Sequence, residues 1–190
     1  MSVTDVFRRI TTALDQAGIA YMLSGSFAAA SYGSPRSTRD IDLVIAATPS
    51  QLRAFVQSLS NDEYYVDLDA ALEAHQRQSL FNVIDLATGW KIDLVIRKSR
   101  AFSQGEFRRR QRVTLQDVPL FVASAEDLVV SKLEWSKLAQ SQRQIEDVAG
   151  ILRARWESLD RSYLGKWILE LGLEKEWDDA RRAAGFNELA

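Results

Sequence analysis

Three aspartates lie in segments that otherwise read as apolar strands. Asp40 and Asp42 flank Ile41 in the segment DIDLVIA, and Asp93 lies in the similar segment KIDLVI. Successive side chains of a strand point to opposite faces, so Asp40 and Asp42 share a face while Ile41 faces the core. If the two segments form neighbouring strands, the three carboxylates converge on one face of a sheet.

Converging carboxylates need a cation. Two like charges about 4 Å apart repel by about 4 kcal/mol at an effective dielectric constant near 20. Three such pairs would rival the whole stability of a domain, which is about 5–15 kcal/mol. The chain has no cysteine and a single histidine, and carboxylate oxygens favour Mg²⁺ or Mn²⁺ over zinc. The pattern therefore predicts a magnesium or manganese site.

A phosphate site is predicted beside it by the segment LSGS. Gly25 permits a tight turn from a strand into a helix, and Ser26 begins the apolar helix SFAAASYG. Free backbone N–H groups and the positive dipole end of a helix favour a phosphate at that position. Divalent ions held by paired aspartates and bridged to phosphates are the recurring apparatus of phosphoryl and nucleotidyl transfer.

The order Gly25-Ser26, then Asp40-Ile41-Asp42, then Asp93 resembles the motif of the nucleotidyltransferase superfamily with the polymerase β-like fold. Downstream segments, FNVIDLATGWKIDLVI, AEDLVVSKLEW and RQIEDVAGIL, are similar to its small bacterial branch of antibiotic and abortive-infection-toxin nucleotidyltransferases. The resemblance implies a nucleoside triphosphate substrate and two Mg²⁺ or Mn²⁺ ions, held by the three aspartates. It also implies that Asp93 acts as the base toward an acceptor hydroxyl and that Gly25 and Ser26 bind the terminal phosphates.

Two basic residues lie in the loop before the paired aspartates. Arg36 and Arg39 belong to the segment GSPRSTR. Guanidinium groups match phosphate oxygens with two parallel hydrogen bonds, so we predict that both residues contact the triphosphate. The alternative is that they pair with the acids in the unliganded protein.

Two lysines are further candidates for contact with the triphosphate. Lys91 precedes Asp93 by two residues and shares its face; alternatively, it pairs with Asp85 across a hairpin. Lys132 lies among apolar residues of a helix, and the alternative to a phosphate contact is an ion pair with Asp147 of the next helix.

Two further features have no part in the predicted chemistry. The only histidine, His75, lies in a polar helical segment and is expected on the solvated surface. The basic run from Arg108 to Arg112 is expected to be a solvated helical face, with contact to an RNA backbone as the alternative.

The elements that must position the site follow from the spacing of apolar residues. Strands and helices alternate up to residue 123, with a hairpin around Gly89, and from residue 124 the apolar spacing is helical throughout. We therefore predict a mixed α/β (α+β) fold, with a short mixed sheet and flanking helices in residues 1–123. Residues 124–190 are expected to form a helical subdomain packed on this core.

Composition limits the classes of function. The chain has 190 residues, of which 46% are hydrophobic and 26% charged, and a net charge of −2, which argues against an extensive nucleic-acid footprint. No apolar run approaches the roughly 18 residues that span a bilayer, and the absence of cysteine is typical of the cytoplasm. We expect a cytoplasmic enzyme that uses a small or RNA hydroxyl acceptor. The alternatives are a toxin that modifies tRNA or another macromolecule, with an antitoxin partner, and a non-catalytic nucleotide-binding module.

Overall fold

The structure is a computed structural model that describes residues 2–115 and 117–186. The described residues divide into two compact units. The first unit contains residues up to Ser24 together with Thr38–Val122, and the second contains Gly25–Ser37 and the residues from Ala123 onward. The segment Gly25–Ser37, which the sequence analysis placed in the core domain, thus belongs with the helices of the second unit.

The first unit is built on a mixed sheet that has seven strands in the described part of the chain. The strands are β1 (Ala20–Leu23), β2 (Asp40–Ala46), β3 (Tyr64–Val66), β4 (Leu80–Asp85), β5 (Lys91–Ile96), β6 (Gln111–Leu115) and β7 (Val118–Val122), in the spatial order β3-β4-β5-β2-β1-β7-β6. Two neighbouring pairs, β2 with β5 and β1 with β7, are parallel, and the other neighbours are antiparallel. The predicted mixed α/β class is confirmed.

The helices of the described residues are, in chain order, α1 (Val3–Gln16), α2 (Gly25–Ser31), α3 (Pro49–Ser58), α4 (Leu68–Arg77), α5 (Ala101–Arg109), α6 (Ala125–Ala139), α7 (Gln142–Arg155), α8 (Arg161–Leu171) and α9 (Glu174–Ala184). A single 3₁₀ turn, Trp156–Ser158, follows α7. In the first unit, α3 begins at the predicted N-cap Thr48, whose side chain accepts from the backbone N–H of Gln51, with Pro49 as the first helical residue. None of the helices in the described ranges is long and apolar enough to cross a membrane.

Alternating burial along β2 and β5 separates the core from the polar face. Ile41 and Leu43 of β2, and Ile92 and Leu94 of β5, are fully buried. The aspartates between them are exposed or half-buried. Because the side chains of a strand alternate, the apolar residues that fix the register also fix the face on which the acids lie.

In the second unit, the segment Gly25–Ser37 packs against α7 through two glycines. A Cβ on Gly33 would lie 2.3 Å from the Cβ of Ala154, and a Cβ on Gly150 would lie 2.5 Å from the Oγ of Ser34. Gly33 also has a φ of +100°, which side chains rarely tolerate. Close backbone approach therefore requires glycine at both positions.

The basic run Arg108–Arg112 is not one helical face, as the sequence analysis expected. Helix α5 ends at Arg109 and strand β6 begins at Gln111. Arg110, between the two elements, is half-buried, and its guanidinium lies 4.4 Å from the centroid of the Phe107 ring. The helical period does not continue because the chain turns into an edge strand of the sheet.

Candidate active site

The paired aspartates and the third acid lie side by side on adjacent strands. Strands β2 and β5 are parallel, and their register pairs Asp42 directly with Asp93 and Asp40 with Lys91. Cross-strand partners point to the same face, and so do residues two apart on one strand. Asp40, Asp42 and Asp93 therefore occupy one face, which we call the acid face.

Lys91 connects two carboxylates of the acid face. Its Nζ lies 3.4 Å from Oδ1 of Asp40 and 3.2 Å from Oδ2 of Asp93. Burial lowers the pKa of the Lys91 ammonium, but the hydrogen bond and the attraction of Asp93, with those of Asp40, outweigh it and raise the pKa above its ordinary value. The lysine therefore stays charged at neutral pH and offsets part of the repulsion between the acids.

Asn82 orients Asp93 from the other side. It is the residue of β4 that pairs with Asp93 in the antiparallel register of β4 and β5, and its amide donates a hydrogen bond to Oδ1 of Asp93. Sequence reasoning missed Asn82. The contact could have been predicted, because a hairpin that turns at residues 86–89 pairs position 82 with position 93.

Asp85 shows what distinguishes the acids of the sheet. It stands in an Ile-Asp-Leu triplet, as do Asp42 and Asp93, but it is fully buried. There it pairs with Arg9 and accepts hydrogen bonds from the backbone N–H (3.0 Å) and hydroxyl (2.8 Å) of Thr88. The suggested pairing of Lys91 with Asp85 is therefore wrong, since the hairpin register turns the two side chains to different faces.

The chain leaves the first unit next to the acid face. Ser24, which follows β1, donates its backbone N–H to the carbonyl oxygen of Asp42 at 2.9 Å. The next residue, Gly25, has a φ of +60°, as the predicted tight turn requires. In the second unit, Ser26 lies in the first turn of α2 and is 3% exposed. The role of Gly25 and Ser26 toward phosphate stays a prediction.

Lys132, Asp147 and Arg36, which the sequence analysis considered separately, form one cluster in the second unit. Nζ of Lys132 lies 2.6 Å from Oδ2 of Asp147, and Nε of Arg36 lies 3.3 Å from the same oxygen. Lys132 also donates to the side-chain oxygen of Gln144 at 2.9 Å. The ion pair between helices α6 and α7, weighed as the alternative for Lys132, is present. Arg36 pairs with Asp147 and not with the acid face.

The remaining candidates differ in exposure. The side chain of Arg39 is exposed, and its carbonyl oxygen accepts the backbone N–H of Lys91 at 3.2 Å, at the start of β5. His75 is half-buried, and its Nε2 lies 3.0 Å from the carbonyl oxygen of Ala47. His75, which was expected on the solvated surface, is thus only partly solvated, because α4 packs this part of its polar face near the end of β2.

The donor set of the acid face fits a hard divalent cation. All three side chains present carboxylate oxygens, which Mg²⁺ and Mn²⁺ prefer. Within residues 2–115 and 117–186, no group of three or more acidic or histidine side chains, the three aspartates included, is arranged so that it could hold a metal ion. Among the contacts of the acid face is the Lys91 ammonium, a cation held by Asp40 and Asp93. The three carboxylates therefore suit a divalent cation by the chemistry of their oxygens, and Lys91 takes the place of a cation in their present arrangement.

The first unit has a mixed sheet with three acids on neighbouring strands, and a strand-to-helix turn precedes these strands in the chain. These features are those of an enzyme of the nucleotidyltransferase class. The chain belongs to the family described as nucleotidyltransferase of unknown function (DUF6036), whose match extends over residues 3–187. No curated protein matches the sequence.

Solved structures support the fold. The lincosamide antibiotic adenylyltransferase LnuA, solved with lincomycin, is 14% identical with a TM-score of 0.54, and the match covers 80% of this chain and 96% of LnuA. The antibiotic-resistance factor ANT(2'')-Ia is 14% identical with a TM-score of 0.51, over 97% and 91% of the two chains. An antigenic nucleotidyltransferase-like protein from Paracoccidioides brasiliensis is 16% identical with a TM-score of 0.51, over 92% and 90%. These similarities establish the nucleotidyltransferase fold.

Proposed function

We propose that the chain transfers a nucleoside monophosphate from a nucleoside triphosphate to a hydroxyl group, depends on Mg²⁺ or Mn²⁺, and releases pyrophosphate. The observation that carries the proposal is the parallel register that places Asp42 beside Asp93, with Asp40 on the same face. Membership of the nucleotidyltransferase family supports the reaction class.

Asp93 accepts the proton of the acceptor hydroxyl in this proposal. The acceptor oxygen forms a bond to the α-phosphorus, the bond from that phosphorus to the pyrophosphate oxygen breaks, and the proton passes to the Asp93 carboxylate. Asn82 holds Oδ1 of this carboxylate, which fixes its rotation before the acceptor binds. A positioned general base contributes about 10²–10⁴-fold to a rate.

Asp40, Asp42 and Asp93 would hold the divalent ions. When bound, the ions supply positive charge that stabilises the phosphate oxygens and lowers the pKa of the acceptor hydroxyl. Lys91 supplies a further cation at the same face, and its side chain is 43% exposed, so it has room to turn from the carboxylates toward a phosphate. The nucleotide contacts assigned to Gly25, Ser26, Arg36, Arg39 and Lys132 belong to the proposal as predictions.

ATP is the first triphosphate to test, because LnuA is described as an adenylyltransferase. The purified chain would be incubated with Mg²⁺ or Mn²⁺, each of the four triphosphates labelled at the α-phosphate, and either small-molecule or RNA fractions of a cell extract. We expect label from the α-phosphate to enter one fraction, and a parallel incubation with triphosphates labelled at the γ-phosphate should leave every fraction unlabelled. Label in RNA would identify a macromolecular acceptor, and the toxin alternative predicts that a neutralising partner protein blocks it. If no fraction is labelled and no triphosphate binds, the proposal fails.

A further inference from the structure

A polar cavity lies at the opposite end of the two strands that carry the acid face. It has a volume of about 390 Å³ and is bordered by Ala46 and Ile96, the last residues of β2 and β5. Asp93 and Arg97, which lines the cavity, are four residues apart, or about 13 Å along an extended chain. The cavity therefore lies beyond the carboxyl ends of the parallel pair β2 and β5.

Most polar groups that line the cavity form hydrogen bonds with neighbouring protein groups. The side-chain oxygen of Gln78 accepts the backbone N–H of Ser99 at 2.9 Å, and the Gln104 amide donates to the carbonyl oxygen of Ser99 at 2.7 Å. Nε2 of His75 donates to the carbonyl oxygen of Ala47 at 3.0 Å, because that oxygen can only accept. These hydrogen bonds hold the lining side chains in place, and none of them involves the side chain of Arg97.

Arg97 is the exception. Its Nε is buried and has no hydrogen-bond partner, and no carboxylate pairs with its guanidinium in the described ranges 2–115 and 117–186. The guanidinium stacks over the ring of Phe107, 5.4 Å from its centroid, and Arg110 stacks on the same ring. Burial and then the nearby charge of Arg97 lower the pKa of Arg110, as expected where two cations share a ring. The Nε donor of this partly exposed guanidinium is therefore unsatisfied.

We propose that this cavity binds a small phosphate-bearing anion through the guanidinium of Arg97. None of the described residues that line the cavity is acidic, so no carboxylate competes with the ligand. A guanidinium binds a phosphate through two parallel hydrogen bonds. The volume also falls within the range of small-molecule sites, about 300–1,000 Å³, so there is space for an organic group beside the phosphate.

His75 is the only histidine of the chain, so its ring signals in a proton–carbon NMR spectrum need no assignment. The full chain, free of any histidine tag, would be titrated at fixed pH and ionic strength with inorganic phosphate, pyrophosphate, ribose 5-phosphate and AMP, with EDTA present. We expect a saturable shift of the His75 signals. A stronger response to the two organic phosphates would identify an organic ligand, and an equal response a free phosphate ion.

Substitutions separate this site from general charge effects. Arg97→Gln should weaken binding about tenfold or more, because a charged hydrogen-bonded partner is lost. Arg108→Gln removes the same charge from the exposed surface of α5 and should leave binding unchanged. Arg97→Lys keeps the charge and should bind with intermediate affinity, which guards against misfolding of the glutamine variant. Asp42→Asn should not alter the His75 response, so this test is independent of the transferase reaction.

The proposal is overturned if the His75 signals stay unmoved by every probe at concentrations of tens of millimolar. It is equally overturned if Arg97→Gln and Arg108→Gln weaken binding to the same extent, since the response would then be general screening of surface charge. Loss of the response in Asp42→Asn would also overturn it, because the ligand would then bind at the acid face.

Discussion

Asp42 and Asp93 are direct cross-strand partners on parallel strands, and a third acid, Asp40, shares their face. Parallel strands meet only through a crossover, so this pairing joins two segments about fifty residues apart in the chain. Lys91 lies between Asp40 and Asp93. Substitutions at these residues and at their neighbours distinguish a catalytic role of this arrangement from a structural one.

Asp93→Asn should abolish nucleotidyl transfer and leave the fold intact. The amide cannot accept the acceptor proton, which predicts a rate loss of about 10²–10⁴-fold. Removing one of several like charges should leave the free energy of unfolding unchanged or raise it. Activity would be measured by release of pyrophosphate, and stability by urea denaturation. A variant that loses stability in step with activity would indicate a structural carboxylate.

Asp85→Asn is the matched control for Asp93→Asn, because Asp85 stands in an identical Ile-Asp-Leu triplet on the neighbouring strand β4. Here the carboxylate is fully buried against Arg9. Removing one partner of a buried ion pair costs about 3–5 kcal/mol, so this variant should lower the midpoint of urea denaturation strongly. If it proves as stable as the wild type, the distinction drawn between the two faces of the hairpin is incorrect.

Lys91→Met should increase the response of the protein to Mg²⁺. Without the ammonium, the carboxylates lose a cation, so the metal-free variant should be less stable by up to about 1 kcal/mol, the usual range for an exposed pair. Binding of Mg²⁺ to the folded state alone stabilises it. The gain in melting temperature on adding Mg²⁺ should therefore be larger in Lys91→Met than in the wild type. Equal gains would argue that the metal binds elsewhere.

The buried cluster around Asp147 decides the role of Lys132. Asp147→Asn alone removes the carboxylate that lies 2.6 Å from Nζ of Lys132, which is 3% exposed, and should cost about 3–5 kcal/mol of stability. The double variant Lys132→Met with Asp147→Leu replaces the buried pair by apolar groups and should recover part of that loss; Arg36, which loses the same carboxylate, is 27% exposed and stays in contact with solvent.

Transfer activity of this folded double variant then separates the two interpretations of Lys132. Loss of activity with a raised KM for the triphosphate supports the predicted contact with phosphate. Full activity would assign Lys132 to the ion pair alone.

Gly33→Ala should destabilise the second unit. The new Cβ would meet the Cβ of Ala154 at 2.3 Å, at a φ of +100°, and overpacking costs about 1–3 kcal/mol. Gly165→Ala is the control, because this glycine lies inside helix α8 and a Cβ there meets nothing within 4 Å. The control should stabilise the protein by up to about 1 kcal/mol. Thermal unfolding of both variants tests the packing, and equal effects would refute it.

The sequence predicted the elements well where apolar spacing and caps agree. Thr48, Pro49 and the stripe of α3 marked one helix, and Gly89 with two alternating segments marked the hairpin. It could not predict the partners of charged side chains. Lys91 has acids at several positions within reach, and only the hairpin register excludes Asp85.

Long-range packing was also beyond the sequence. Nothing in GSPRSTR shows that this loop packs with α7, since that follows from close approach at Gly33 and Gly150. Arg36 was expected to face phosphates or the acid face, yet it pairs with Asp147, more than a hundred residues later in the chain. Such pairings depend on which helix faces bury each other, which local patterns do not encode.

The central claim is that the acid face binds a divalent ion together with a nucleotide. Electron paramagnetic resonance of free Mn²⁺, titrated with protein and a non-hydrolysable ATP analogue, measures this without knowledge of the acceptor. We predict tight binding by the wild type and by Asp69→Asn, which removes an exposed carboxylate from α4. Binding should be at least about tenfold weaker in Asp42→Asn and Asp93→Asn, because each loses a carboxylate ligand. Equal Mn²⁺ affinity in all four proteins would contradict the claim.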